Sequence, residues 1–262
     1  HTLAVALAMF SLYILYTYLE TGDWKWLLLA GITGSLAMFF RTEIGLVVAG
    51  VGLVLVVQNW KKSLTFVAAG GITTAVWMVF NVLMMGHPIS RNFASVNSSA
   101  SGLLNAGVKY VPYVLFNVPI VSAYSLGKWL LIAGTTAVGL AVLLGIFPRT
   151  RIFAIPFLVV TSLICGYVLI QPGMYRSVHG FLLICPLVLA SIWVFRSPSW
   201  RQHRRFWLLL LGGIALYAVG YTAKAWLAAG GLQWGPRYML ILYPILIIAA
   251  VVGTQTLSNQ SR

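Results

Sequence analysis

Leu64-Thr-Phe-Val-Ala-Ala-Gly-Gly-Ile-Thr-Thr-Ala-Val-Trp-Met-Val-Phe-Asn-Val-Leu-Met-Met85 runs without one acidic or basic side chain. At about 1.5 Å of rise per residue, a helix of this length covers about 30 Å, the hydrocarbon thickness of a bilayer. The residues do not alternate apolar and polar, so a strand of a membrane barrel does not fit. In lipid every backbone N–H and C=O must find its partner inside the segment, which leaves a helix.

The rest of the chain repeats this pattern. Further apolar runs occupy Thr2–Leu19, Trp26–Phe40, Ile44–Val57, Trp129–Phe147, Ile152–Ile170, Phe181–Phe195, Trp207–Leu227 and Met239–Leu257, with short basic or Gly/Pro-rich joints between them. Over the 262 residues, 60% are hydrophobic and 8% charged, against about 25% charged in an average soluble domain. Mean hydropathy is +0.93. The expected fold is therefore all-α: a polytopic transmembrane helix bundle of about nine spans, with 1–262 forming a single transmembrane domain. The sequence opens on His1 rather than Met and enters a run at once, so we expect it to belong to a longer chain.

The net charge of +14 comes from 17 Lys and Arg against 3 acids. In a soluble protein this would suggest nucleic acid. Here the positive-inside rule and anionic lipid account for it, and no nucleic-acid partner is expected. Joints on one side must be Glu20–Lys25, Asn59–Ser63, Pro148–Arg151, Arg196–Arg205 and the tail to Arg262. Those on the other side are Arg41–Glu43, Gly86–Lys128, Gln171–Gly180 and Ala228–Tyr238. The first set is denser in cations and is placed in the cytoplasm, with Arg262, which puts the chain start outside. Arg201-Gln-His-Arg-Arg205 reads as a solvated, topology-setting run. A bacterial inner or plasma membrane is the expected location.

The joint at 86–128 is the one long loop. Its first half is small and polar; its second, Lys109 to Tyr124, is aromatic and interrupted by Pro112 and Pro119. We expect that half to lie in or re-enter the outer interface, with interfacial helix in the loop. Asn97-Ser98-Ser99 matches a glycosylation sequon by pattern alone.

Seven cations stand on the outer side, where topology does not require them: Arg41, Arg91, Lys109, Lys128, Arg176, Lys224 and Arg237. Glu43 is the only acid there. Charge beside hydrocarbon is costly and implies partners, here lipid headgroups or a phosphorylated ligand more than side chains. Lys109 and Lys128 read as side chains snorkelling to lipid phosphates.

Arg41-Thr42-Glu43 joins two runs with almost nothing between them. Residues two apart do not share a helix face, so an Arg41–Glu43 ion pair requires the helix to break here. Glu43 is also the one outer carboxylate able to orient a sugar hydroxyl, bind a metal or fix an arginine. Equally open is a capping role, with Thr42 or Glu43 at a helix N-terminus and Arg41 at the preceding C-terminus. Tyr217, Tyr221 and Lys224 form one helical stripe suited to wall a lipid phosphate, or an ordinary stripe whose lysine snorkels. Gly230-Gly231-Leu-Gln-Trp-Gly235-Pro236-Arg237-Tyr238 follows, either a ligand-hugging turn or an interfacial turn with its aromatic belt. Arg176 and His179 offer a less specific version of the same chemistry. Cys165 and Cys185 sit inside apolar runs as packing residues, no Cys/His metal spacing occurs, and no phosphate-loop, nucleophile-elbow or dinucleotide motif is present.

The glycine-rich run leading to Phe40-Arg41-Thr42-Glu43, and the late Gly230–Tyr238 turn before a run bearing Pro244, resemble GT-C superfamily glycosyltransferases. These are polytopic enzymes that use polyprenyl-phosphate-linked sugars, such as the protein mannosyltransferase and aminoarabinose transferase relatives. The likeness extends over most of the chain in layout, but its sharp motifs are confined to these two stretches. It implies an active site on the outer side and a catalytic acid in the first outer loop, for which no Asp here corresponds; that loop is expected upstream of His1. Arg41, Lys224, Arg237 and Arg176 would meet the lipid phosphate, Tyr238 would wall the site, and Glu43 would belong to the same constellation. No catalytic residue is assigned. A divalent metal accompanies some members of the family, but no ligand set is visible here. The expected function is sugar transfer from a polyprenyl-phosphate carrier to an acceptor at the outer face. The alternatives are an accessory subunit of a larger membrane complex with a degenerate transferase fold, and a transporter or lipid flippase. The near absence of charge inside the runs, where Lys224 stands alone, weighs against the last.

Overall fold

The computed structural model describes residues 2–88, 126–147, 150–170, 182, 185–225 and 241–260. Among these the regular structure is helical, with no strand. Packing divides the chain into two compact units, His1–Gly107 with Arg205–Leu227, and Val108–Arg204 with Ala228–Arg262.

The first unit opens with α1 (Thr2–Thr21) and α2 (Trp24–Phe40). The chain reverses between them because Gly22 adopts φ 73°, a left-handed conformation that glycine enters without steric cost, while its N–H donates to the Tyr18 carbonyl at 2.7 Å. Asp23 then starts α2, its carboxylate accepting the Lys25 N–H at 3.0 Å. Buried hydroxyls hold neighbouring helices together, with Ser11 donating to the Ala30 carbonyl at 2.7 Å.

α3 (Ile44–Met85) is two helical stretches that meet at a kink, where Asn59 leaves helical backbone with φ −162° and ψ 92°. It therefore has two arms, matching the expected runs Ile44–Val57 and Leu64–Met85. The Asn59 side-chain oxygen accepts the Lys62 N–H at 3.2 Å and so caps the second arm. α2 touches both arms. A Cβ on Gly34 would meet the Val48 side chain of the first arm at 3.3 Å, and one on Gly31 would meet the Phe66 carbonyl oxygen of the second at 2.5 Å. Further along, Ser35 donates to the Gly70 carbonyl at 3.0 Å, and Phe39 stacks on Trp77 at 5.4 Å. Glycine is required at Gly31, because a side chain there would displace backbone. The second arm ends at Gly86, φ 74°, whose N–H donates to the Val82 carbonyl.

The second unit contains α4 (Leu126–Ile146), α5 (Arg151–Leu169), a 3-10 helix Pro186–Arg196, the short α6 (Pro198–Gln202) and α8 (Leu242–Gln260). Between α6 and α8 in the chain lies α7 (Arg204–Ala225), which packs in the first unit from Arg205 onward. In the second unit Trp193 is 1% exposed, its indole N–H donating to the Val142 carbonyl at 2.8 Å. A Cβ on Gly145 would lie 2.5 Å from its ring, and one on Gly253 2.7 Å from its Cβ. Val138, Ala141, Ala154, Leu158, Ala190 and Ala250 complete this core. From Pro186 onward the expected run Phe181–Phe195 is a 3-10 helix. Cys185 departs from helical backbone (φ −142°, ψ 76°), the α region being disfavoured before a proline, and the helix starts at Pro186.

Two helices, Thr2–Thr21 and Ile44–Met85, are long and apolar enough to cross a membrane by length and composition. Trp24–Phe40, Ile132–Gly145, Ile152–Val168, Pro186–Arg196 and Leu242–Thr256 are apolar and shorter.

Candidate functional site

α2 cannot continue past Phe40, because Arg41 turns to φ −153° and ψ 106° while its N–H still reaches the Ala37 carbonyl at 3.1 Å. The new helix begins at once. Ile44 N–H donates to the Arg41 carbonyl at 3.1 Å, and Gly45 N–H to that of Thr42 at 3.0 Å. The break rotates the two side chains toward each other, and Arg41 Nε donates to Glu43 Oε2 at 3.4 Å. Their side chains are 9% and 15% exposed. Of the capping alternative, Arg41 does terminate α2, but Glu43, standing at the N-cap of α3, makes no side-chain cap. The expectation that side chains would not supply partners for the outer cations is corrected at Arg41: Glu43 partly neutralises it.

Depth distinguishes this break from a surface turn. Phe39 is level with Trp77, and the second arm of α3 continues eight residues from Trp77 to Met85. By helix rise, Arg41 and Glu43 lie about 10 Å short of the end of that arm. An ion pair removed from water in this way depends on mutual compensation.

α7 runs along the first arm of α3 toward the same end. Gly50 and Gly212 meet backbone to backbone; a Cβ on Gly50 would also lie 2.8 Å from Gly213 Cα. Small residues allow helix axes this close. Further on, a Cβ on Gly220 would lie 2.7 Å from the Leu46 side chain. The α7 backbone at Lys224 is one turn beyond Gly220, so the fold carries it to the Arg41–Glu43 end. Tyr217 is fully buried, which makes it a packing residue and removes it from any exposed ligand wall. Arg176, His179, Arg237 and Tyr238, like Arg91, Lys109 and most of 86–128, lie outside the described residues.

The opposite end of the first unit holds a cleft of about 240 Å³, lined by Tyr18, Leu19, Leu27, Leu55, Gln58, Asn59, Lys62, Ser63 and Arg205. Sequence reasoning missed it, having read 201–205 as a solvated run. Asn59, Lys62, Ser63 and Arg205 on its lining come from two of the joints expected to be cytoplasmic, and within this unit Arg41–Glu43 and Gly86 lie at the other end. Among the described residues no group of three or more His, Cys, Asp or Glu could hold a metal, and Cys165 is a buried free thiol packed on Gly134. Known family models, curated proteins and solved structures yield no match to the chain.

Proposed function

We propose that the chain is a multi-pass membrane protein and the lipid-phosphate-binding part of a GT-C-like glycosyltransferase, moving a sugar from a polyprenyl-phosphate carrier at the outer face. The membrane reading rests on the second arm of α3. Ile72, Val76, Val79, Leu83 and Met85 are each at least 59% exposed, in a helix of which only 17% of the most apolar window is buried. Water would not tolerate such a surface; hydrocarbon would.

The recessed Arg41–Glu43 break carries the transferase reading. Irregular backbone and charge at membrane depth are tolerated where they are enclosed by protein or line a cavity, and such ionisable groups mark functional sites. Glu43 orients the Arg41 guanidinium, and the α7 backbone at Lys224 runs to the same end; we assign Lys224 and Arg41 jointly to a lipid phosphate. Arg176, Arg237 and Tyr238 are proposed for the same site from the sequence alone. Binding of a polyprenyl phosphate to the purified chain tests this: Arg41→Ala, Lys224→Ala and Arg237→Ala should each weaken it with helicity unchanged. Retention of full binding by all three ends the assignment.

The accessory-subunit reading is favoured by one observation, the pairing itself. An Arg41 matched by Glu43 can serve as a clamp between α2 and α3 with no ligand. In that case the variants lose stability and no lipid-phosphate binding exists to lose.

A further inference from the structure

We propose that the cleft between Tyr18, Asn59, Lys62 and Arg205, at the end of the first unit remote from Arg41, is an anion site that takes a phosphate group. It goes beyond the transferase site and shares no residue with it.

The charge arrangement carries the inference. Where Asn59 breaks α3, a new helix starts, and Lys62 sits in its first turn. Arg205 is in the first turn of α7, which contains no acid. The N-terminal turn of a helix is its positive end, where a cation is unfavourable and an anion welcome. Two helix starts, each bearing a cation in its first turn, therefore face one cleft whose lining contains no carboxylate. Among the described residues neither Lys62 nor Arg205 forms a salt bridge. Two acids stand at this end, Glu20 and Asp23; Asp23 caps α2, and neither lines the cleft.

The remaining polar groups suit the same ligand. The Asn59 side-chain oxygen is taken by the Lys62 N–H, so its amide nitrogen is the end left to donate. Gln58 and Tyr18, residue types that can each donate, also line the cleft. A guanidinium, an ammonium, amides and a hydroxyl around about 240 Å³ match a phosphate, whose several oxygens accept from many directions. The phosphate can come from a phospholipid headgroup or from solution. The headgroup source rests on the membrane reading above, with this end at the cytoplasmic interface; the anion chemistry does not.

The test uses the full chain in neutral-detergent micelles, titrated by calorimetry with inorganic phosphate in one arm and short-chain phosphatidylglycerol in the other. Saturable binding that Lys62→Gln and Arg205→Gln each weaken about tenfold, and that Lys25→Gln leaves unchanged, is the expected result. Lys25 is exposed on the neighbouring turn outside the cleft. Arg205→Lys should retain most of the binding, which separates a charge requirement from damage to the fold. Preference for the lipid assigns the headgroup as source, and equal binding of inorganic phosphate assigns a soluble anion. No saturable binding in either arm, or the same loss with Lys25→Gln, overturns the proposal.

Discussion

A Cβ on Gly52 would touch the Phe66 ring at 3.5 Å, although the two residues are fourteen apart in sequence, on the two arms of α3. Along a straight helix they would be separated by about 21 Å. The contact is made because α3 doubles back at Asn59, and Gly52 leaves room for the ring. Asn59 and Gly52 therefore act together, one releasing the helix and the other receiving the returned arm.

Asn59→Ala should cost about 1 kcal/mol through loss of the cap to Lys62 N–H. Asn59→Asp keeps the acceptor and should cost less. Thermal unfolding in a fixed detergent compares them, and equal loss in both would mean that the cap is not what stabilises the turn.

Arg41→Leu takes the guanidinium away from a Glu43 side chain that is only 15% exposed and should destabilise by about 3–5 kcal/mol; Glu43→Leu supplies the other single variant. The double variant should cost less than the sum, and a double-mutant cycle reads the difference directly. Additive effects would show that the 3.4 Å contact contributes nothing.

Gly31→Ala and Gly71→Ala should have opposite signs. The first drives a Cβ to 2.5 Å from the Phe66 carbonyl, whereas a Cβ at Gly71 meets nothing within 4 Å. Overpacking at Gly31 should cost about 1–3 kcal/mol, while Gly71→Ala should be neutral or gain up to about 1 kcal/mol from helix propensity. Unfolding midpoints measured side by side decide it.

Trp193→Phe removes the donor to Val142 and leaves a cavity beside Gly145 and Gly253. A loss of about 2–4 kcal/mol is expected. Fluorescence and unfolding of the same variant should show a blue-shifted component lost together with stability.

Leu83→Cys carrying a spin label should be relaxed by oxygen more than by a water-soluble nickel chelate, because Leu83 is 78% exposed on the arm proposed to face lipid. A label at Lys62→Cys should show the reverse. Preferential access of the nickel reagent to both would refute the membrane reading.

The helices were legible because their cause is local: apolar runs without charge, ended by Gly22-Asp23, Asn59 and Gly86. The joints Glu20–Lys25, Arg41–Glu43 and Asn59–Ser63 follow from the same pattern. The Arg41–Glu43 pair was not legible as a contact. Two residues on opposite helix faces meet only if the backbone between them leaves the helix; the joint marks such a break, but nothing local in Arg-Thr-Glu fixes which way the side chains turn across it. The cleft was hidden for a different reason. Lys62 and Arg205 are far apart in sequence, and the Gly50–Gly212 contact that brings α7 beside α3 depends on packing rather than on periodicity. The 3-10 geometry of Pro186–Arg196 likewise has no apolar signature of its own, since Pro186 announces a helix start but not its pitch.

The Arg41–Glu43 pair also bears on how the chain is made. On the proposed topology the α2–α3 corner must be delivered across the bilayer against a membrane potential that resists positive charge, at about 2.3 kcal/mol per charge for each 100 mV. Formed early, the pair would travel as a neutral dipole, and the voltage would do no net work on it. Glu43→Gln would then slow insertion of this hairpin in energised membranes and leave it unaffected when the potential is collapsed.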